Sequence, residues 1–238
     1  MADGAGKLAV LIDADNTSPK VADKLFEEVA KIGEASLRRI YGDFSRGQLS
    51  GWEPVLAKHA ILAQQQFAYT TGKNSTDITL VIDAMDLLHS GRFDGFCLVS
   101  SDSDFTRLAA RIREQGIDVY GIGQQKTPPS FRQACTRFIF TENFVTDDGP
   151  TPAKSALSPM AEAVELIGKA LEQMEEDAEG WFQLGAVGQR LQNLSPEFDT
   201  RTFGQPKLSD LVEATGSFEI DRTGQHVRMR PKPVRKRR

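Results

Sequence analysis

The chain has 238 residues, 39% of them hydrophobic, and its 29 Lys and Arg against 33 Asp and Glu give a formal net charge of −4. That length can bury a core of about 150 residues and leave a smaller second module. No apolar run approaches the ~18 residues of a membrane span, MADGAGKLAV lacks a signal-peptide pattern, and Cys97 and Cys135 form no CxxC motif, so a membrane protein, a zinc ribbon and a disulfide framework are excluded. A reducing, cytoplasmic setting is expected.

In chain order, the first predicted element is a strand through LAVLID (8 to 13), apolar on both faces as in a central strand of a covered parallel sheet. Asp13 and Asp15 follow in LIDADNT, at what would be the carboxyl end of that strand, the edge where open α/β sheets bind ligands. A plainer role for Asp15 or Asn16 is to cap the helix beginning near Ser18 and Pro19. Further strands are predicted at SLRRIYG (36 to 42), QFAYT (66 to 70), GFCLVS (95 to 100), IDVYGIG (117 to 123) and RFIF (137 to 140). Helices fall between them at 19 to 32, 52 to 63, 75 to 90, 103 to 115 and, shorter, 129 to 135. This alternation predicts an α/β fold, a three-layer parallel sheet with helices on both faces. TDDGPTPAKSALSP then reads as a linker. Beyond it, AEAVELIGKALEQM, WFQLGAVGQRLQNL and PKLSDLVEAT have helical spacing, and SFEID with HVRMR forms a hairpin: a small winged-helix module whose core includes Leu184, Val187, Leu191, Leu208 and Leu211. The predicted boundaries are 1 to 145, a linker at 146 to 158, the second module at 159 to 231 and a basic tail at 232 to 238.

Charge is segregated. The first 150 residues hold 16 basic and 20 acidic side chains, MEEDAE makes 174 to 179 acidic, and after Asp221 every charge is positive. In FCLVSSDSDF, Asp102 and Asp104 follow an apolar strand as Asp13 does, so neighbouring strands would bring these carboxylates to one sheet edge. A parallel crossover helix starts at that same edge, which places Asp77, in the first turn of the 75 to 90 helix, on the same side. Asp83 lies about 9 Å further down the helix at 1.5 Å per residue, and Asp86 further still, where it is solvated. Crowded carboxylates repel unless a cation neutralises them. Oxygen ligands suit Mg²⁺ or Mn²⁺, whereas His59 and His89 sit in helical patterns without ligand partners.

LIDADN, KNSTDITLVIDAMD and LVSSDSDFTRLAARIREQGIDVYGIG resemble the NYN family, a branch of the PIN-like metal-dependent ribonucleases, over residues 7 to 145. The resemblance implies a PIN-like fold and makes Asp13 and Asp102 metal ligands, with Asp77 and Asp104 as further metal-site and catalytic acids. Asn16 becomes a polar group orienting metal or substrate. Lys73 and Ser101, near these acids in the sequence, are read as substrate contacts. Asp83 matches another acidic position of the family. Where the family commonly has glycine, in SGDSDF, this chain has Ser101. GWFQLGAVGQRL, FDTRTFGQPKLSDLVEA and FEI with HVRMR are similar to the LOTUS, or OST-HTH, domain, which is associated with RNA binding or with protein partners.

Together these imply Mg²⁺- or Mn²⁺-dependent hydrolysis of RNA, taken to be single-stranded, by water that the cation activates. The basic tail, with Arg235, Lys236 and Arg237, is expected to help hold the polyanion. Three other readings compete. LIDADNT also fits the DxDxT motif of haloacid-dehalogenase-like phosphatases, with Asp13 as nucleophile, although Asp77 then has no duty. An NYN-like domain could bind RNA or protein without cutting it. A response-regulator receiver would use Asp43, a poor match.

Overall fold

The computed structural model describes residues 6 to 67, 75 to 144 and 159 to 232. The chain divides into two compact units, Met1–Val145 and Thr146–Arg238. In the first unit the elements run β1 (Lys7–Asp13), α1 (Ala22–Ile32), β2 (Glu34–Gly42), α2 (Glu53–Lys58), β3 (Leu62–Gln65) and α3 (Ser75–His89). They continue through β4 (Gly95–Val99), α4 (Thr106–Glu114), β5 (Asp118–Gly123), α5 (Pro129–Ala134) and β6 (Arg137–Phe140). Six strands form one sheet in the order β3-β2-β1-β4-β5-β6. Every pairing is parallel. The direction of winding reverses between β1 and β4, the position at which sheets of this kind bind ligands.

β1 is apolar on both faces because it feeds two cores. Ala9 and Leu11 join Leu80, Phe105 and Phe131 on the side of α3, α4 and α5, while Val10 and Ile12 join Leu25, Ile40 and Trp52 on the side of α1 and α2. Successive strand residues point to opposite faces, so one short strand serves both layers.

Three local expectations need correcting. The strand read at 66 to 70 lies earlier: β3 is Leu62–Gln65, in register with Arg39 to Gly42 of β2, and residues 68 to 70 lie outside the described segments. The helix read at 52 to 63 is correspondingly only Glu53–Lys58. Ala60 takes a left-handed backbone (φ 51°), which a continuing helix forbids, and the buried Ile61 beyond it anchors the entry to the edge strand. The helix-forming residues in AILAQQQ are thus overruled by sheet pairing. The cap of the first helical segment is neither Asp15 nor Asn16 but Ser18, whose hydroxyl accepts the Lys20 N–H at the start of a 3-10 turn, Pro19–Val21, leading into α1.

The second unit comprises α6 (Pro159–Leu171), β7 (Phe182–Gln183), α7 (Leu184–Leu194), α8 (Leu208–Thr215), β8 (Phe218–Asp221) and β9 (Arg228–Pro231). Its small antiparallel sheet is ordered β7-β9-β8, adding the two-residue β7 to the expected hairpin in a winged-helix-like arrangement. Val187, Leu191 and Leu211 are fully buried in its core, with Leu184 at the margin and Leu208 packed against it. Among the described residues no helix is long and apolar enough to cross a membrane.

Candidate metal centre

The carboxyl ends of β1 and β4 are held together by a hydroxyl. β1 leaves the sheet at Asp13, which is 0% exposed. Its carboxylate accepts four hydrogen bonds: from the backbone N–H of Asp15 (3.1 Å) and Asn16 (3.3 Å), from Asn16 Nδ2 (2.8 Å) and from Ser100 Oγ (2.6 Å). Ser100, one residue past β4 and also buried, accepts the Asp102 N–H with the same oxygen at 3.0 Å. Asp102 then caps the 3-10 turn Ser103–Phe105, its Oδ1 accepting the Asp104 N–H at 2.9 Å. A second tie comes from Thr17, whose hydroxyl donates to the Val99 carbonyl at 3.2 Å. Gly123, on the next strand, lets this loop close, because a Cβ there would stand 2.4 Å from the Ser100 carbonyl oxygen.

The third contribution is α3, which crosses the sheet and places Asp77 in its first turn at this edge. Thr76 beside it lies close enough to Asp15 to favour that residue's charged form, which puts the start of α3 next to the loop after β1. Asp77, Asp102 and Asp104 each present a carboxylate oxygen within 4.8 Å of the others. The crowding shows in protonation: Asp77 is pushed up to about 6 by partial burial first and then by the charges of Asp13, Asp102, Asp104 and Asp15. Asp15 is also raised, by burial and then by Asp13, with Thr76 opposing. All three ligand groups are oxygen donors, with neither His nor Cys in the group. Such a set fits a hard divalent cation, which would remove the repulsion that keeps Asp77 high.

The other candidates separate. Asp13 is not one of the three; its carboxylate, with four hydrogen bonds accepted, fixes the loop and adds its negative charge to the field at Asp77. Asn16 is exposed but spends its amide on Asp13. Ser101 accepts the Gln124 N–H at 2.9 Å, which ties it to the loop after β5 and leaves only its hydroxyl proton for a substrate. Asp83 is occupied away from the triad, receiving Arg39 Nη1 at 2.6 Å and the Tyr41 hydroxyl. Asp86 is exposed, His59 pairs with Asp23 (2.7 Å), and His89 contacts the Met85 carbonyl of its own helix (2.7 Å). Lys73, Arg235, Lys236, Arg237 and the linker lie outside the described residues. Sequence reasoning missed Ser100, whose only signal is its place directly after the apolar run in LVSSDSD.

A family model described as the NYN domain matches residues 7 to 142. The chain belongs to the NYN family. Behind the NYN domain, a model for the OST-HTH/LOTUS domain matches residues 158 to 229, and the pair points to a PIN-like nuclease fold joined to an RNA-binding module. No curated protein matches the chain. Among solved structures, a Vibrio parahaemolyticus protein of unknown function is similar at 18% identity and a TM-score of 0.48, covering 58% of this chain and 94% of that one. Acinetobacter baumannii MurG is similar at 12% identity and a TM-score of 0.37, covering 87% of this chain and 69% of that one.

Proposed function

We propose that this NYN protein is a ribonuclease that hydrolyses phosphodiester bonds of single-stranded RNA with the help of Mg²⁺ or Mn²⁺. The observation that carries the reading is the convergence of Asp77, Asp102 and Asp104 at the switch point of the sheet. A divalent cation bound there supplies charge to stabilise the phosphate and lowers the pKa of water. The chain's own residues do the rest. Asp77, Asp102 and Asp104 hold the cation, Asp13 supports it electrostatically, and Ser100 sets the angle of the loop that carries Asp102 and Asp104. The OST-HTH/LOTUS unit and the basic tail hold the polyanion that the acidic first unit would otherwise repel.

The test is incubation of purified protein with end-labelled single-stranded RNA, with and without Mn²⁺, beside Asp102→Asn. Metal-dependent cleavage abolished by that substitution is expected. Binding without cleavage in any metal would instead favour a non-catalytic RNA-binding role.

A further inference from the structure

A cavity of about 300 Å³ opens where β2 and β3 end, on the sheet face that carries α1 and α2. Phe44, Leu49 and Leu56 give it apolar walls, and Ser50, Glu53 and Gln65 supply its polar groups. Gly42 shapes it, because a Cβ at that position would come within 2.5 Å of Leu49 Cδ1 and push that wall away. Gln65 is already committed: its Oε1 accepts the Phe44 N–H at 2.9 Å and its Nε2 donates to Asp43 at 2.9 Å, which braces the aromatic wall. Glu53 is exposed and has no hydrogen-bond or ion-pair partner among the described residues. It is therefore an acceptor-only group beside apolar walls.

We propose that this cavity receives a guanine base of the bound RNA, with Phe44 as the stacking face and Glu53 reading the Watson–Crick edge; the proposal rests on the RNA-cleavage reading above. A carboxylate accepts two parallel N–H bonds, and of the four bases only guanine offers two adjacent donors on that edge, N1–H and the N2 amino group. Adenine and cytosine offer the amino group alone and uracil a single imino N–H. Aromatic walls stack bases only when those bases are unpaired, so the slot selects a single strand. Its placement suits a nucleotide near the scissile bond. Gln65 pairs with Gly42, Asp13 pairs with Tyr41, and β4 lies beside β1, so the cavity lies three strands from the loop that carries Asp102 and Asp104, about 14 Å at the spacing of a sheet. An RNA crossing the carboxyl rim can seat a phosphate at the triad and a nearby base in the slot.

The experiment uses full-length protein in EDTA at low ionic strength, with fluorescein-labelled pentaribonucleotides that differ only in a central G, A, C or U flanked by U. Anisotropy should show the G probe binding about tenfold or more tighter than the others, the discrimination expected of a bidentate base contact. Glu53→Gln should bring G level with A and C, any gain from the lost negative charge being shared by all four probes, and retained binding of the all-U probe shows that the variant is folded. Indifference to the central base, or a G preference that survives Glu53→Gln, overturns the proposal. Cleavage of a guanine-free RNA with Mn²⁺ is scored separately: cleavage without base preference removes the guanine slot alone, and preference without cleavage removes the nuclease reading while the base site stands.

Discussion

Replacing Ser100 with alanine removes one oxygen that does two jobs in a dry place. Its hydroxyl makes the shortest of the four bonds to the fully buried Asp13 carboxylate, at 2.6 Å, and the same atom accepts the Asp102 N–H at 3.0 Å. A hydrogen bond to a buried charged group contributes about 1.5–3 kcal/mol, and leaving the Asp102 N–H without a partner adds about 1 kcal/mol. Ser100→Ala should therefore cost the first unit about 2.5–4 kcal/mol. Urea unfolding followed by Trp52 emission measures this, in a Trp181→Phe background, because Trp52 is 1% exposed in the core of that unit. The loop carrying Asp102 and Asp104 should loosen as well, so Mn²⁺ affinity falls along with stability. A loss below about 0.5 kcal/mol would show that Asp13 is held by its own loop, and the account of Ser100 as the tie between β1 and β4 would be wrong.

The remaining predictions concern charge. Asp77 is raised to about 6 from an ordinary 3.8, so the folded state binds its proton more tightly than the unfolded state does. The sign follows: in EDTA, relative to Asp77→Asn, the protein loses stability as pH rises from about 4 through 6. The full conversion of that shift is about 3 kcal/mol, and solvent screening of a half-buried group reduces it to about 1 kcal/mol. Thermal melts of both proteins from pH 4 to 8 test this, and parallel curves would refute it. Metal binding has the opposite trend, with Mn²⁺ affinity dropping as pH falls through 6 and Asp77 takes up its proton. Asp83→Asn should cost about 1–3 kcal/mol, because Arg39 and Tyr41 lose their partner, while RNA cleavage per folded molecule stays near wild type; a specific loss of turnover would return Asp83 to the site. Removing residues 151 to 238 should weaken RNA affinity and flatten its salt dependence, by roughly 0.7 in slope for each phosphate no longer neutralised, without abolishing metal-dependent cleavage at high RNA concentration. Equal affinities and parallel slopes in a titration at several salt concentrations would show that the second unit does not bind RNA.

The apolar runs by themselves were enough to place β1, β2, β4, β5 and β6: β1 and β4 are hydrophobic on both faces, and β2, β5 and β6 end in short apolar runs bounded by turn residues. Asp77, Asp102 and Asp104 were legible for a related reason: acids directly after a buried strand, or in the first turn of a crossover helix, land on one edge wherever strands run parallel. β3 was not legible. It is a partly exposed edge strand of Leu62–Gln65, and its helix-forming residues pair with β2 only because the sheet is already there and Ala60 turns the chain into it. Asp13 shows the same limit within the site. Its position can be read from LIDADNT, but the partner that holds its carboxylate is a donor 87 residues away, Ser100, brought there by the adjacency of β1 and β4. Asp83 and Asp77 lie in one helix with similar surroundings in the sequence, yet Asp83 faces Arg39 and Tyr41 of β2 and is neutralised there, while Asp77 faces other acids. Residue type and spacing determined which carboxylates could gather; the long-range partners each one meets, which only the packed sheet supplies, decided which of them remain available to a cation.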